Sequence, residues 1–450
     1  MNDVYQLEPM NGRGGLARVA TLVRGLRAQT PQTLFVLAGD TLSPSILSTI
    51  FQGRQMVEVW NAIGLDAAVF GNHEFDFGPA LLRQRMQESR FPWLGANVLD
   101  AATHRPWGGG ASTLVREWSG ARVGMVGVTL SGAARSSNPG PGIVFAPAVE
   151  SAQRALADLG TLDLRIALTH LEVEQDRRLA AAVPLDLILG GHDHAPMVEL
   201  EGRTLIIKAV PDSFNVGQVG YELGCSARVL NRRDRLIPVD SAIAAAPDVA
   251  ALIARYHAEA DPQLGRPIAE LRTPLDARDI VIRREVAPVG VFVAQVMRRR
   301  MAADVALLNA GAVRANRVIP SGPVSMADVV ALLPFRNTVA LLEGDGGALR
   351  VILEHSVEAL PRPSGRFLQT AGLDYTADIT RPAGRRIVAA SVSGNALDPA
   401  RRYRVAVPDF LARGGDGYVL LTEAPSLVSS EDGPGLIEIV VAALEGGASP

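Results

Sequence analysis

The sequence predicts an α/β protein in which a layered first domain is joined by a helix to a second, mixed α/β domain. Three observations carry this. The first half alternates short apolar runs with helix-like segments, and that alternation ends near Pro238. The third is length: 450 residues is more than one core serves at roughly 100–200 residues per domain.

The apolar runs lie at 33–38, 67–70, 122–128, 164–168, 185–189 and 204–210. Short continuous runs of this kind suit strands buried on both faces. Between them, 14–28 and 45–64 space Leu, Val, Ile and Trp as a helix does. Strands alternating with helices make an α/β layer. Residues 242–260 are Ala-rich without internal Gly, Pro247 is early enough to open a helix, and Pro262 and Pro267 follow. The expected division is 1–238, a linker helix within 239–267, a second domain at 268–425 and an extension at 426–450. Candidate strands of the second domain are 305–308, 339–342 and 403–408, and a short helix is expected at 435–444.

Composition excludes several classes. Lys+Arg 44 against Asp+Glu 47 leaves a formal net charge of −3, so no basic excess points to nucleic acid. The basic residues are nearly all Arg, with Lys208 the only lysine, which reads as a coding bias. A single cysteine, Cys225, forbids an intrachain disulfide framework and a Cys-based zinc cluster. No apolar run approaches the ~20 residues of a spanning helix, so a soluble chain with no membrane partner is expected. Met1-Asn2-Asp3 lacks the charged and apolar regions of a signal peptide. As written the chain is expected in the cytoplasm, or in the periplasm or outside the cell if a signal peptide lies upstream of Met1. The sequence does not define an oligomeric state.

Five polar clusters stand out, four of them directly after an apolar run: Asn2-Asp3-Val4-Tyr5, Gly39-Asp40, Gly71-Asn72-His73-Glu74-Phe75-Asp76, Thr169-His170 and Gly191-His192-Asp193-His194. Ligands of α/β sheets bind beyond the carboxyl ends of strands, so these clusters are expected to converge on one crevice. Carboxylates, an amide and imidazoles without a thiolate suit Mn, Zn, Fe or Co. The shared ligand of a two-metal centre would be Asp40. Two ions roughly 3.5–4 Å apart clamp the attacking and leaving oxygens of a phosphoryl displacement and lower the pKa of a bound water. His73 can sit beside the metals without ligating them, with Asp76 three residues on to orient its ring and keep it fit to protonate a leaving alkoxide. Taken singly, a Gly-Asp after a strand is usually a turn and His170 an ordinary loop histidine. All five clusters in order reverse that balance.

The order Asp3…Gly39-Asp40…Gly71-Asn72-His73-Glu74…His170…Gly191-His192-Asp193-His194 resembles the calcineurin-like metallophosphoesterases. The longer Gly-Asn-His-Glu-Phe-Asp form and the second half narrow the resemblance to the 5′-nucleotidase family, over roughly 1–425. It implies a four-layer metallophosphoesterase α/β sandwich joined by a helix to a C-terminal substrate-binding domain, and two divalent or mixed-valence ions. It implies one ion held by Asp40, Asn72, His170 and His192, the other by Asp3, Asp40 and His194, with His73 and Asp76 as the catalytic dyad. Two departures are visible. Tyr5 stands where the family's Asp-x-His pattern has histidine, and only Met1 and Asn2 precede Asp3 where the family has an apolar strand, so either a start codon assigned too late or a truncated chain is expected.

The second half adds Asn309-Ala310-Gly311-Ala312-Val313-Arg314, similar to the family's Asn-x-Gly-x-x-Arg loop. A glycine turn with a guanidinium suits an anion. Leu333-Pro334-Phe335-Arg336-Asn337 is a second family signature without assigned chemistry. The segments 365–369 and 409–418 resemble those that sandwich a nucleobase. The resemblance implies Phe367 and Phe410 stacked on the base, Asp416 accepting from the ribose hydroxyls, and Arg283 on phosphate, with Val291 and Gln295 replacing the usual Asn and Asp nearby.

The expected function is metal-dependent hydrolysis of nucleoside 5′-monophosphates, with cyclic nucleotides and nucleotide sugars as related substrates. One competing reading is a member turned to another ester or to a sulfur oxyanion. Another, motivated by Tyr5 and the short N-terminus, is a nucleotide-binding relative with an impaired metal site.

Overall fold

The structure is a computed structural model that describes residues 1–448 apart from Asn11, Asn138, 225–228 and Arg336, with only the backbone of Arg135 and Ser136. Cys225 and Arg336 therefore lie outside the described residues. Two compact units divide the chain, Met1–Glu259 and Ala260–Pro450.

In the first unit, β1 (Val36–Leu37), β2 (Ala67–Val69) and β3 (Trp93–Leu94) form a parallel sheet in that order. A second sheet contains β4 (Thr113–Trp118), β5 (Ala121–Thr129), β6 (Leu164–His170), β7 (Leu187–Gly190), β8 (Met197–Glu201) and β9 (Thr204–Lys208). Its order is β8-β9-β7-β6-β5-β4. β5, β6, β7 and β9 run parallel, and antiparallel β4 and β8 close the edges. Each apolar run of the first half holds one of these strands.

Alternate residues along a strand point to opposite faces, and the burial follows that period. Val123, Met125, Ile166, Leu187 and Ile207 share one cluster with Val36, Ala67 and Val69 of the other sheet. Their neighbours Val126, Val128, Ala167, Ile188 and Ile206 pack instead with Leu156 and Leu179 of helices Ala148–Ala157 and Val173–Ala182. On the opposite side, Leu37, Ala68 and Phe70 pack with Val19 and Trp60 of helices Leu16–Gln29 and Arg54–Ile63. The unit is thus four layers: helices, the three-stranded sheet, the six-stranded sheet, helices.

The first residues run beside β1. The Ala38 N–H donates to Met1 O at 2.7 Å, Asp3 N–H to Gly39 O at 3.0 Å and Val4 N–H to Asp40 O at 2.8 Å. Asp3 is therefore held by the backbone that carries Asp40.

The linker helix lies within the expected 239–267. It begins at Pro247 and runs through Pro262 to Leu264. Pro262 lies so near the carboxyl end that its missing N–H costs one backbone bond without stopping the helix.

In the second unit the expected strands appear as Val305–Asn309, Val339–Asp345 and Arg402–Pro408. With Leu368–Ala371 and Ser426–Val428 they form a five-stranded sheet in which Arg402–Pro408 lies between Val305–Asn309 and Val339–Asp345. The final helix is Leu436–Glu445. Among the described residues no helix is long and apolar enough to cross a membrane.

Candidate active site

The carboxyl ends of the parallel strands bring the polar clusters of the first unit together. Asp3, Asp40 and His170 each offer a donor atom within 4.8 Å of the others, and all three are buried. The Asp40 carboxylate lies 3.2 Å from His170 Nε2. Asp3 lies 3.3 Å from His194 Nε2 through Oδ1 and accepts the His192 N–H at 3.0 Å through Oδ2. Asn72 Oδ1 faces His170 Nε2 at 3.2 Å, and the His170 and His192 rings meet edge to face with centroids 5.1 Å apart. The six residues expected to hold metal share one neighbourhood.

The backbone there is strained. Asp3, Asp40, His192 and His194 have φ of 52°, 55°, 81° and 48°, a left-handed region that non-glycine residues seldom enter. Close approach also fixes two glycines. A Cβ at Gly71 would lie 2.0 Å from Asp40 Oδ1, and one at Gly191 would lie 2.2 Å from Ala38 O.

Two adjacent buried carboxylates demand positive charge. Burial alone would strip His170 of its proton, yet the Asp40 and Asp3 carboxylates push the imidazole up to about 10. Against its own burial, Asp3 is held far below the usual carboxylate range by His194, and Asp40 is lowered by His170 and His73. Metal binding releases protons from such ligands, so a cation can take over the charge His170 now carries. Hard and borderline donors with no thiolate suit Mn, Zn, Fe or Co. The residues fit a metal.

Tyr5 occupies the middle of this cluster. Its hydroxyl is 3.2 Å from His194 Nε2, 3.3 Å from Asp40 Oδ2 and 3.5 Å from Asp3 Oδ1. Burial and the two carboxylates raise the phenol well above its ordinary value, so it stays neutral and donates a hydrogen bond.

His73 and Asp76 meet as their spacing predicts. A single 3-10 turn over His73–Phe75 puts both on one side, with His73 Nδ1 at 2.7 Å from Asp76 Oδ2. The His73 backbone N–H donates to Asp40 Oδ1 at 2.9 Å.

Glu74 belongs to the site without having been assigned a role from sequence. Its buried carboxylate accepts the N–H groups of Asp40 at 2.9 Å, Thr41 at 2.7 Å and Gly71 at 2.6 Å. It clips the loop after β1 to the loop after β2. Its place inside the Gly-Asn-His-Glu segment was the available signal.

In the second unit, Asn309 ends its strand and its amide donates to Asp416 Oδ2 at 2.8 Å. The Gly311 N–H donates to Gly365 O at 2.8 Å and the Ala310 N–H to Phe367 O at 2.8 Å. Ser364 N–H reaches Arg283 O at 3.1 Å, while the Arg283 guanidinium pairs with Asp279 at 3.0 Å. Asp416 has φ of 54°, and its carbonyl lies 2.9 Å from His355 Nε2. Arg314 lies over the Phe335 ring at 5.4 Å, which gives the second signature segment a contact that its sequence did not foretell. The two phenylalanines expected to sandwich a base differ: Phe410 is 41% exposed, whereas Phe367 is 3% exposed. Phe367 is buried, and its carbonyl is bonded to the turn at Ala310. The open ring is Phe410, backed by Gly415, where a Cβ would lie 2.5 Å from it.

Comparison with known proteins bears on the fold and the family. Residues 1–196 match the calcineurin-like phosphoesterase family model and 267–423 match that of the 5′-nucleotidase C-terminal domain. The chain is 27% identical to the trifunctional nucleotide phosphoesterase protein YfkN of Bacillus subtilis over 91% of its own length, but spans only 31% of that protein. It is 28% identical to snake venom 5′-nucleotidase of Naja atra, covering 93% of this chain and 88% of the relative. Among solved structures, the 5′-nucleotidase precursor from Thermus thermophilus is 28% identical with a TM-score of 0.62, covering 100% of this chain and 96% of that one. The NAD nucleotidase of Haemophilus influenzae, 21% identical over 100% of this chain and 96% of that one, shares the fold with a TM-score of 0.84. The chain belongs to the 5′-nucleotidase family, with a calcineurin-like phosphoesterase domain ahead of a 5′-nucleotidase C-terminal domain.

Proposed function

We propose that this chain is a metal-dependent phosphomonoesterase acting on nucleoside 5′-monophosphates, with cyclic nucleotides and nucleotide sugars as related substrates. The observation that carries the reading is the convergence of buried Asp3, Asp40 and His170 beside the His73–Asp76 pair. Asp3, Asp40 and His194 would hold one ion, and Asp40, Asn72, His170 and His192 the other. When bound, the ions supply Lewis-acid polarisation of phosphoryl oxygens and a water of lowered pKa. Asp76 fixes the His73 ring through Nδ1, which directs Nε2 to proton donation toward the leaving oxygen. In the second unit Asn309, Gly311 and Asp416 are the polar contacts for the nucleotide, with Arg283 and Arg314 for phosphate. Phe410 is the stacking surface, with Phe367 supporting the segment behind the binding turn.

The test is metal analysis of the purified chain coupled to a phosphate-release screen over nucleotides. Two bound divalent ions and release from 5′-monophosphates are expected. A chain that binds nucleotide yet releases no phosphate with Mn²⁺, Zn²⁺ or Co²⁺ would be the binding protein instead.

Two further outcomes follow from this reading. Phe410→Ala should raise KM for AMP on the order of 10-fold, since base stacking is worth about 1–3 kcal/mol, and leave KM for p-nitrophenyl phosphate unchanged. Equal effects on both substrates would make Phe410 a packing residue. Tyr5→His should tighten Mn²⁺ binding by about 10-fold or more, because an imidazole replaces a neutral phenol among Asp3, Asp40 and His194. Unchanged affinity in a calorimetric titration would show that position 5 does not shape the metal centre.

A further inference from the structure

Lys208, the only lysine of the chain, is fully buried at the carboxyl end of β9. Its ammonium donates to Leu171 O at 2.6 Å, to Gly191 O at 2.9 Å and to the Asp193 carboxylate. It also lies 2.7 Å from Asp176 Oδ2. These partners are not scattered. Leu171 directly follows His170, Gly191 directly precedes His192, and Asp193 separates His192 from His194. One cation thus ties together the two loops that carry three of the candidate ligands, from strands β6 and β7.

The rest of the surroundings is built around that cation. Asp176 is fixed by the Thr169 hydroxyl at 2.7 Å, and Asp193 accepts the Val173 N–H at 3.2 Å. A Cβ at Gly190 would lie 2.9 Å from Lys208 Cε, so glycine there makes room for the side chain. A buried ammonium is costly unless it is paired and fully hydrogen-bonded. Lysine is a compact point charge with three donors, whereas arginine is a planar fork, and only the former matches two carbonyls and a carboxylate converging from different directions. A lysine in a chain that otherwise uses arginine is therefore a steric and electrostatic requirement here, not a drift of composition.

We infer that Lys208 is a positioning residue that sets the placement of His170 relative to the His192–His194 loop, so that metal retention depends on it although it is not a ligand. The inference rests on the metal-site reading above. The test uses the full chain stripped of metal and titrated with Mn²⁺ by calorimetry, with thermal unfolding of the stripped protein alongside. Two variants are compared with the unmodified chain. Lys208→Met combined with Asp176→Asn removes the cation and one of its two carboxylates at similar volume, and Asp193→Asn weakens one arm of the tie. Cooperative unfolding is expected in both, with Mn²⁺ affinity at least 10-fold weaker in the double variant and less affected in Asp193→Asn. At saturating Mn²⁺ the double variant should recover most of its kcat, with KM for AMP unchanged. A merely structural role would lower the melting temperature without moving the affinity. Affinity within twofold of the unmodified chain in a folded double variant would overturn the inference. So would loss of cooperative unfolding in both variants, which would assign Lys208 to folding of the unit as a whole. If the unmodified chain itself binds no Mn²⁺, the metal-site reading fails, and this inference with it.

Discussion

His73→Ala is expected to lower kcat on a nucleoside monophosphate by roughly 10²–10⁴-fold, the usual worth of a general acid–base group, while leaving metal content unchanged. The geometry separates the two readouts. The His73 backbone N–H donates to the candidate ligand Asp40 at Oδ1, 2.9 Å away. Alanine keeps that donor, so Asp40 stays oriented. What alanine removes is the ring that Asp76 holds at 2.7 Å. Steady-state kinetics paired with elemental analysis of the same preparation decides the matter. Near-normal turnover would remove His73 from proton transfer, and loss of metal would place it among the ligands.

Glu74→Ala should give the largest loss of stability. Its carboxylate is the acceptor for the buried N–H groups of Asp40, Thr41 and Gly71. Each donor left without a partner costs about 1–3 kcal/mol, so a loss of roughly 3–6 kcal/mol is expected once part is offset by removing a buried acid. That offset is real, because burial and then the neighbouring Asp40 charge push Glu74 up to about 7. Urea denaturation of the metal-free chain measures the change. A loss below about 1 kcal/mol would mean that water replaces the carboxylate.

Much of this protein is legible before any coordinate is seen. The apolar runs become strands because parallel strands are covered on both faces, and the polar residues after them converge because parallel strands share a carboxyl edge. His73 and Asp76 meet because three residues make one turn. What sequence conceals is of a different kind. Glu74 and Lys208 act largely through backbone groups, most of them distant in sequence, and carbonyls and amides carry no signature in the amino-acid letters. Phe367 and Phe410 look alike as letters, and only packing separates the core ring from the open one. Pro262 follows the Ala-rich run without ending its helix, because few backbone bonds remain beyond it. Tyr5 is visible as a departure from Asp-x-His, but its three partners are set by the fold.

The left-handed backbone of Asp3, Asp40, His192 and His194 narrows the evolutionary future of this centre. Aspartate, asparagine and histidine are the side chains that both tolerate such a conformation and coordinate a metal ion. Glutamate, equal to aspartate as a donor, enters that region less readily and reaches one methylene further. Drift at these positions is therefore confined to a three-letter alphabet, and a lineage losing the metal has an easy exit through glycine, which relieves the strain and removes the ligand in one step. A laboratory search for thermostability would be drawn to the same replacement, gaining robustness at the cost of the metal site.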